Sequence, residues 1–120
     1  MDKQVIAIDF DGTITETDNY PIIGKIKPHC VETIKYLSQY YCIVLNTCRE
    51  GTLLEQAKQF LKDNDIYNCF TSFNENPQYR IEKYKNDCRK IGANFYIDDK
   101  NVLSSVDWVL IDTYFRGLNN

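Results

Sequence analysis

Val5-Ile6-Ala7-Ile8-Asp9-Phe10-Asp11-Gly12-Thr13 is the stretch on which the reading of this chain turns. A short β-branched run ends in two carboxylates spaced i, i+2, which sets both on one side at the end of a strand. Gly12 then lets the backbone turn sharply. Two carboxylates held together repel each other, so a fold keeps such a pair where a cation or a reaction needs it. Taken alone, the stretch also fits an ordinary strand followed by an Asp-Gly turn.

The rest of the chain favours the first alternative. Ile43-Val44-Leu45 is a second apolar run, and it ends in Asn46-Thr47-Cys48-Arg49. Phe95-Tyr96-Ile97 is another, ending in Asp98-Asp99-Lys100, with Lys90 eight residues before Asp98. Two acid pairs, a hydroxyl and a cation thus stand at or near strand ends. In parallel α/β sheets the carboxyl ends of strands are where ligands bind.

Strand and helix patterns alternate, which predicts a parallel sheet with helices on its faces. Strands are expected near 4–9, 42–46, 69–72, 94–98 and 107–111. Helices are expected over about 28–40, 52–63 and 77–91. The first opens with Pro28 and carries Val31, Ile34 and Leu37 on one face. In the second, Leu53, Leu54, Ala57, Phe60 and Leu61 form one stripe of a 3.6-residue period. The third has Asn76 as N-cap, Pro77 at its first position and a stripe of Ile81, Tyr84, Cys88 and Ile91. All three stripes read as core packing.

Length and composition set bounds. With 120 residues, one domain with a single well-buried core is expected, spanning 1–120. Hydrophobic content of 43% against 26% charged residues is that of a globular chain, and no apolar stretch is long enough to span a membrane. The N-terminus enters a strand within a few residues and shows no signal-peptide pattern. Five cysteines without CxxC spacing argue against a disulfide framework or a zinc ribbon, and fit a reducing cytoplasm. A net charge of −3 disfavours a nucleic-acid binder.

The motif set resembles the haloacid dehalogenase (HAD) superfamily of phosphohydrolases. The matching positions are Asp9 and Asp11 in DFDGT, Thr47 in LNTCR, Lys90 in RKIGANFYIDD, and Asp98 and Asp99. The resemblance runs from Val5 to about Lys100, and NTCREG, FNENP and FYIDDK look like a compact, capless branch. It implies a three-layer Rossmann-like α/β domain, with a mostly parallel five-stranded sheet and helices on both faces. It also implies a short flap at about 12–27 in place of a cap domain, with Tyr20 and Ile22 as lid candidates. An open site of this kind leaves room for a neighbouring subunit to close it in a homo-oligomer.

The same resemblance implies a chemistry. Asp9 is the nucleophile that forms an aspartyl-phosphate, and Asp11 the general acid and base. Asp9 and Asp98 offer carboxylate oxygens to Mg²⁺, Asp11 a backbone carbonyl, and Asp99 either a direct ligand or a second-layer contact. Thr47 binds a phosphoryl oxygen. Lys90 neutralises charge on that group, with Lys85 as the alternative on the same predicted helix.

Other residues stay open. Arg49 either helps bind substrate or caps the second helix with Glu50. Cys48 belongs with Thr47, Arg49 and Lys90 to the expected substrate-binding set, and its thiol reads as buried and inert rather than redox-sensitive. His29 reads as a surface residue. The expected function is a Mg²⁺-dependent phosphatase acting on a small phosphorylated metabolite, a sugar phosphate or a nucleotide, in the cytoplasm, without nucleic-acid or membrane partners. Two alternatives compete: an idle HAD-like scaffold that binds metal or a partner, and a phospho-accepting receiver-like domain. The second is disfavoured because the run from Tyr67 to Phe73 leads into Asn74, with no acid at its end.

Overall fold

A computed structural model of the chain describes residues 3–16, 19–103 and 105–120. The N-terminal run forms strand β1, Val5–Ile8, and all four of its side chains are buried. A strand buried on both faces has no polar positions to alternate with, which is why this run reads as continuous apolar sequence. Strand β2 is Cys42–Leu45, β3 is the two-residue Ser72–Phe73, and β4 is Phe95–Ile97. They pair in parallel in the order β3-β2-β1-β4. Ile8 lies opposite Leu45 on one side and Ile97 on the other, so β1, β2 and β4 end level with one another.

Helix α1, Cys30–Leu37, links β1 to β2 and buries Cys30, Thr33, Ile34 and Leu37, one face at i, i+3, i+4, i+7. Helix α2, Gly51–Asp63, follows β2 and buries Ala57 and Leu61, with Leu54 and Phe60 packed at the edge of the core. Helix α3, Gln78–Tyr84, precedes β4, and α4, Trp108–Leu118, closes the chain. Alternate strand residues enter different clusters. Ile6, Ile8, Ile43 and Leu45 pack with residues of α1, α2 and α4. Val5, Ala7 and Val44 pack with Ile91, Tyr79 and Ala93.

Several expectations need correction. The run at 107–111 is not a fifth strand but the start of α4: among the described residues the sheet has four strands. The Asp107 carboxylate caps that helix, accepting the Val109 and Leu110 N–H groups at 3.0 and 3.2 Å. The third helix stops at Tyr84, seven residues short of the expected end, because Lys85 turns into the left-handed region with φ 58°. Tyr84 and Cys88 are therefore exposed and only Ile91 of that stripe is buried. Asn76 does not cap the helix. Its side chain binds Asp87 Oδ1, the Cys88 carbonyl and the Gly92 N–H and so fastens the 87–92 loop. The first helix begins at Cys30 rather than Pro28, and the strand expected at 69–72 starts only at Ser72, after a 3₁₀ turn over Tyr67–Cys69.

His29 is not simply a surface residue. Its ring lies between Glu32, at 3.4 Å, and Asp112 of α4, at 3.3 Å. Asp112 is buried and also meets Thr33 and Arg116. Burial pushes its carboxyl up, but Arg116, Thr33 and His29 outweigh that and hold it below the usual carboxylate range. This cluster fixes α4 against α1. Among the described residues no helix is long and apolar enough to cross a membrane.

Candidate active site

The strand order reverses at β1: β2 and β3 lie on one side of it and β4 on the other. A crevice opens at such a point beyond the carboxyl ends of the strands. The ladder continues one residue past each strand, with the Asp9 N–H on the Ile97 carbonyl at 2.9 Å and the Asn46 N–H on the Ile8 carbonyl at 2.8 Å. Asp9 and Asp98 are thereby held at the crevice from adjacent strands. A cavity of about 590 Å³ lies there, lined by Asp9, Asp11, Tyr20, Thr47, Cys48, Asp98, Asp99 and Lys100.

Asp9, Asp98 and Asp99 each offer an oxygen, and the three oxygens lie within 4.8 Å of one another. Such crowding is costly without a cation. Burial first, then a shared hydrogen bond with Asp99 and the charge of Asp98, push the Asp9 carboxyl up to about 7, against the pull of the Thr13 hydroxyl and the Phe10 N–H. The donors are all hard oxygens, the set that suits Mg²⁺. Asp99 belongs to this group by position. Its backbone N–H donates to Thr13 Oγ1 at 3.0 Å. Gly12, at φ 83°, leaves room for it: a Cβ there would collide with the Asp99 carboxylate.

Asp11 differs from the other acids. Both its oxygens are taken by Arg49, with Nε on Oδ2 and Nη2 on Oδ1, each at 2.7 Å. Its side chain therefore stands outside the three-acid group, although it lines the same cavity. Arg49 is fully buried and does not line the cavity, so it is neither an exposed substrate ligand nor a helix cap.

Thr47 lines the cavity at the end of β2. Its Oγ1 accepts the Arg49 N–H at 3.1 Å, which leaves its own proton free to be donated. Asn74, with φ 57°, holds this loop: its Oδ1 accepts the Thr47 N–H at 2.8 Å and its Nδ2 donates to the Arg49 carbonyl at 2.9 Å. Cys48 is exposed in the cavity wall rather than buried. The inert thiol is Cys30, pushed up to about 12 by burial.

The structure does not bring Lys90 to the cavity. Its Nζ lies over the Tyr96 ring, 4.6 Å from the centroid. The lysine at the cavity is Lys100, with Nζ 3.6 Å from Asp99 Oδ2. Lys85, the alternative, ends α3 and is not part of the cavity lining either. Thr13, Asn74 and Lys100 are the site residues the sequence reading missed. Thr13 stood inside DFDGT and Lys100 directly after the acid pair, so adjacency to a motif was the available signal. Asn74 had none beyond its place after the third apolar run.

The flap returns along itself, with the Glu16 N–H on the Lys25 carbonyl at 2.7 Å and the Lys27 N–H on the Ile14 carbonyl at 2.8 Å. Residues 17 and 18 of the expected flap lie outside the described residues. Of the two lid candidates, Tyr20 lines the cavity, whereas Ile22 is exposed without lining it.

No protein-family model and no curated protein matches the chain. A solved structure does: that of a conserved protein coded by a locus from Bacteroides thetaiotaomicron. It is 34% identical, with a TM-score of 0.83, over 99% of this chain and 94% of that one. The chain belongs to one family with that protein.

Proposed function

We propose that this chain is a Mg²⁺-dependent phosphomonoester hydrolase of the haloacid dehalogenase type, with a three-layer Rossmann-like core. The observation that carries the reading is one cavity, at the strand-order reversal, lined by Asp9, Asp11, Thr47, Asp98 and Asp99 together. An acid from β1 faces an acid pair from β4, with a hydroxyl from β2 beside them. A purely structural strand-end turn has no need of that grouping.

Asp9, Asp98 and Asp99, with the Asp11 backbone carbonyl, would hold the cation. When bound, it supplies charge neutralisation for the acids and for an anionic substrate. An Asp9 oxygen attacks phosphorus and the bond to the leaving oxygen breaks, while Asp11 gives that oxygen a proton. Asp11 then takes a proton from the water that attacks the aspartyl-phosphate, and Asp9 departs as a carboxylate. Thr47 donates to a non-bridging phosphoryl oxygen, and Lys100 offsets charge at the mouth of the cavity. The open cavity suits a small phosphorylated metabolite, a sugar phosphate or a nucleotide. Free cysteines, two of them exposed, suit a reducing cytoplasm.

The test is phosphate release from a panel of sugar phosphates, nucleotides and aryl phosphates, with Mg²⁺ and with EDTA, for wild type and Asp9→Asn. Turnover that needs Mg²⁺ and disappears in Asp9→Asn is expected. No turnover by folded, Mg²⁺-loaded wild type on any ester would return the chain to an idle scaffold.

A further inference from the structure

Arg49 has the largest side chain among the fully buried residues. A guanidinium is buried at a cost that only close pairing offsets. Besides its two bonds to Asp11, its Nη2 donates to the Pro21 carbonyl at 2.8 Å and its Nη1 reaches the Leu53 carbonyl at 3.5 Å. Phe10 and Tyr20 also flank it, with ring centroids 5.4 and 5.1 Å from Cζ. One cation thus joins the acid after β1, the turn of the flap and the first turn of α2.

We infer that Arg49 is a positioning residue: it fixes the Asp11 carboxylate against the cavity and ties its orientation to the Tyr20-Pro21 turn. The two-pronged pair sets the plane of the carboxylate, which a single contact cannot do. Each carboxylate oxygen keeps a second lone pair, so Asp11 can exchange a proton on the cavity side while Arg49 stays in place. Tyr20 lines the cavity over the same guanidinium, so a leaving group that moves Tyr20 also moves the clamp on Asp11. The inference rests on the phosphatase reading, in which Asp11 protonates the leaving oxygen.

That role has a readout that mere stability does not share. An alkyl leaving group needs the proton and p-nitrophenolate does not. The parameter kcat/KM reports the steps up to departure of the leaving group. It is measured with Mg²⁺ on a primary alkyl phosphate and on p-nitrophenyl phosphate for wild type, Asp11→Asn, Arg49→Lys, Arg49→Gln and Tyr20→Ala, with thermal melts alongside. The loss in both Arg49 variants is expected to be about tenfold to a hundredfold larger on the alkyl ester, following Asp11→Asn, with Arg49→Lys the milder. Tyr20→Ala, at a half-exposed position, shows the same bias more weakly and serves if Arg49→Gln does not fold. Equal losses on both esters in Arg49→Lys and Tyr20→Ala, while Asp11→Asn discriminates, overturn the inference alone. A wild type that hydrolyses neither ester, or an Asp11→Asn that does not discriminate, overturns the phosphatase reading and the inference with it.

Discussion

The hydroxyl of Thr13 donates to Asp9 Oδ2 at 3.0 Å. Thr13 Oγ1 also accepts the Asp99 N–H, so one buried side chain joins the loop after β1 to the loop after β4. Thr13→Val keeps the shape and removes both bonds. It is expected to cost about 1–3 kcal/mol, because the Asp99 N–H loses its partner in a partly buried position. Metal-dependent turnover should fall further than that loss of stability accounts for. Denaturant melts and turnover on the same sample check the two effects, and wild-type kinetics in Thr13→Val would contradict the bridging role.

Gly12→Ala tests the packing between the two acid loops. The residue sits at φ 83°, and a Cβ would run into the Asp99 carboxylate. The strain of that backbone region alone costs about 1 kcal/mol or more for a residue other than glycine. Displacement of Asp99 should in addition weaken Mg²⁺ binding, measured by calorimetric titration. A variant that binds Mg²⁺ as tightly as wild type would show that Asp99 is not needed in its present position.

Asp9 sets a pH dependence whose sign is fixed by its upward shift. In the folded, metal-free protein its carboxyl titrates near 7, against 3.8 as its ordinary value. Between those values the folded state holds a proton that the unfolded chain has released, so this contribution to stability declines as pH rises. Melts in EDTA should therefore show a falling contribution from Asp9 across that window, absent in Asp9→Asn. Mg²⁺ must displace the same proton, so its apparent affinity should climb by up to about tenfold per pH unit below 7 and then level off. An affinity flat with pH would contradict the assignment of Asp9 as a ligand.

The two lysines are separable. Lys100 stands at the cavity, and Lys90 lies over Tyr96. Lys100→Ala should raise KM for an anionic substrate severalfold, with a weaker salt dependence than wild type. Lys90→Ala should leave the kinetics near wild type. The reverse pattern would restore Lys90 as the phosphate-neutralising cation.

The parts of this fold that were legible in the sequence are those decided by local pattern. Val5–Ile8, Ile43–Leu45 and Phe95–Ile97 are short, largely β-branched or aromatic runs between polar segments, and each lies in a strand. The same criterion failed at Trp108-Val109-Leu110-Ile111. There Asp107 caps a helix, and burial of Trp108, Asp112 and Phe115 follows helical spacing. A buried aspartate in that stripe disguised it, since its partners Thr33, His29 and Arg116 are assembled only by the packing of α4 on α1. At the site, acids at strand ends needed only a strand and a turn to be recognised. Arg49 and Asn74 needed contacts across 38 and 27 residues of sequence, to Asp11 and Thr47 respectively. Spacing along the chain carries no trace of such contacts.

The most direct measurement concerns the covalent step at Asp9. Wild type and Asp9→Asn would be mixed with Mg²⁺ and the best substrate of the panel, quenched in acid during turnover, reduced with borohydride and digested for peptide mass spectrometry. An aspartyl-phosphate at Asp9 is converted by this treatment to homoserine, and homoserine at position 9 in wild type alone is the predicted result. Turnover with no modification at position 9, persisting in Asp9→Asn, would contradict the account at its centre.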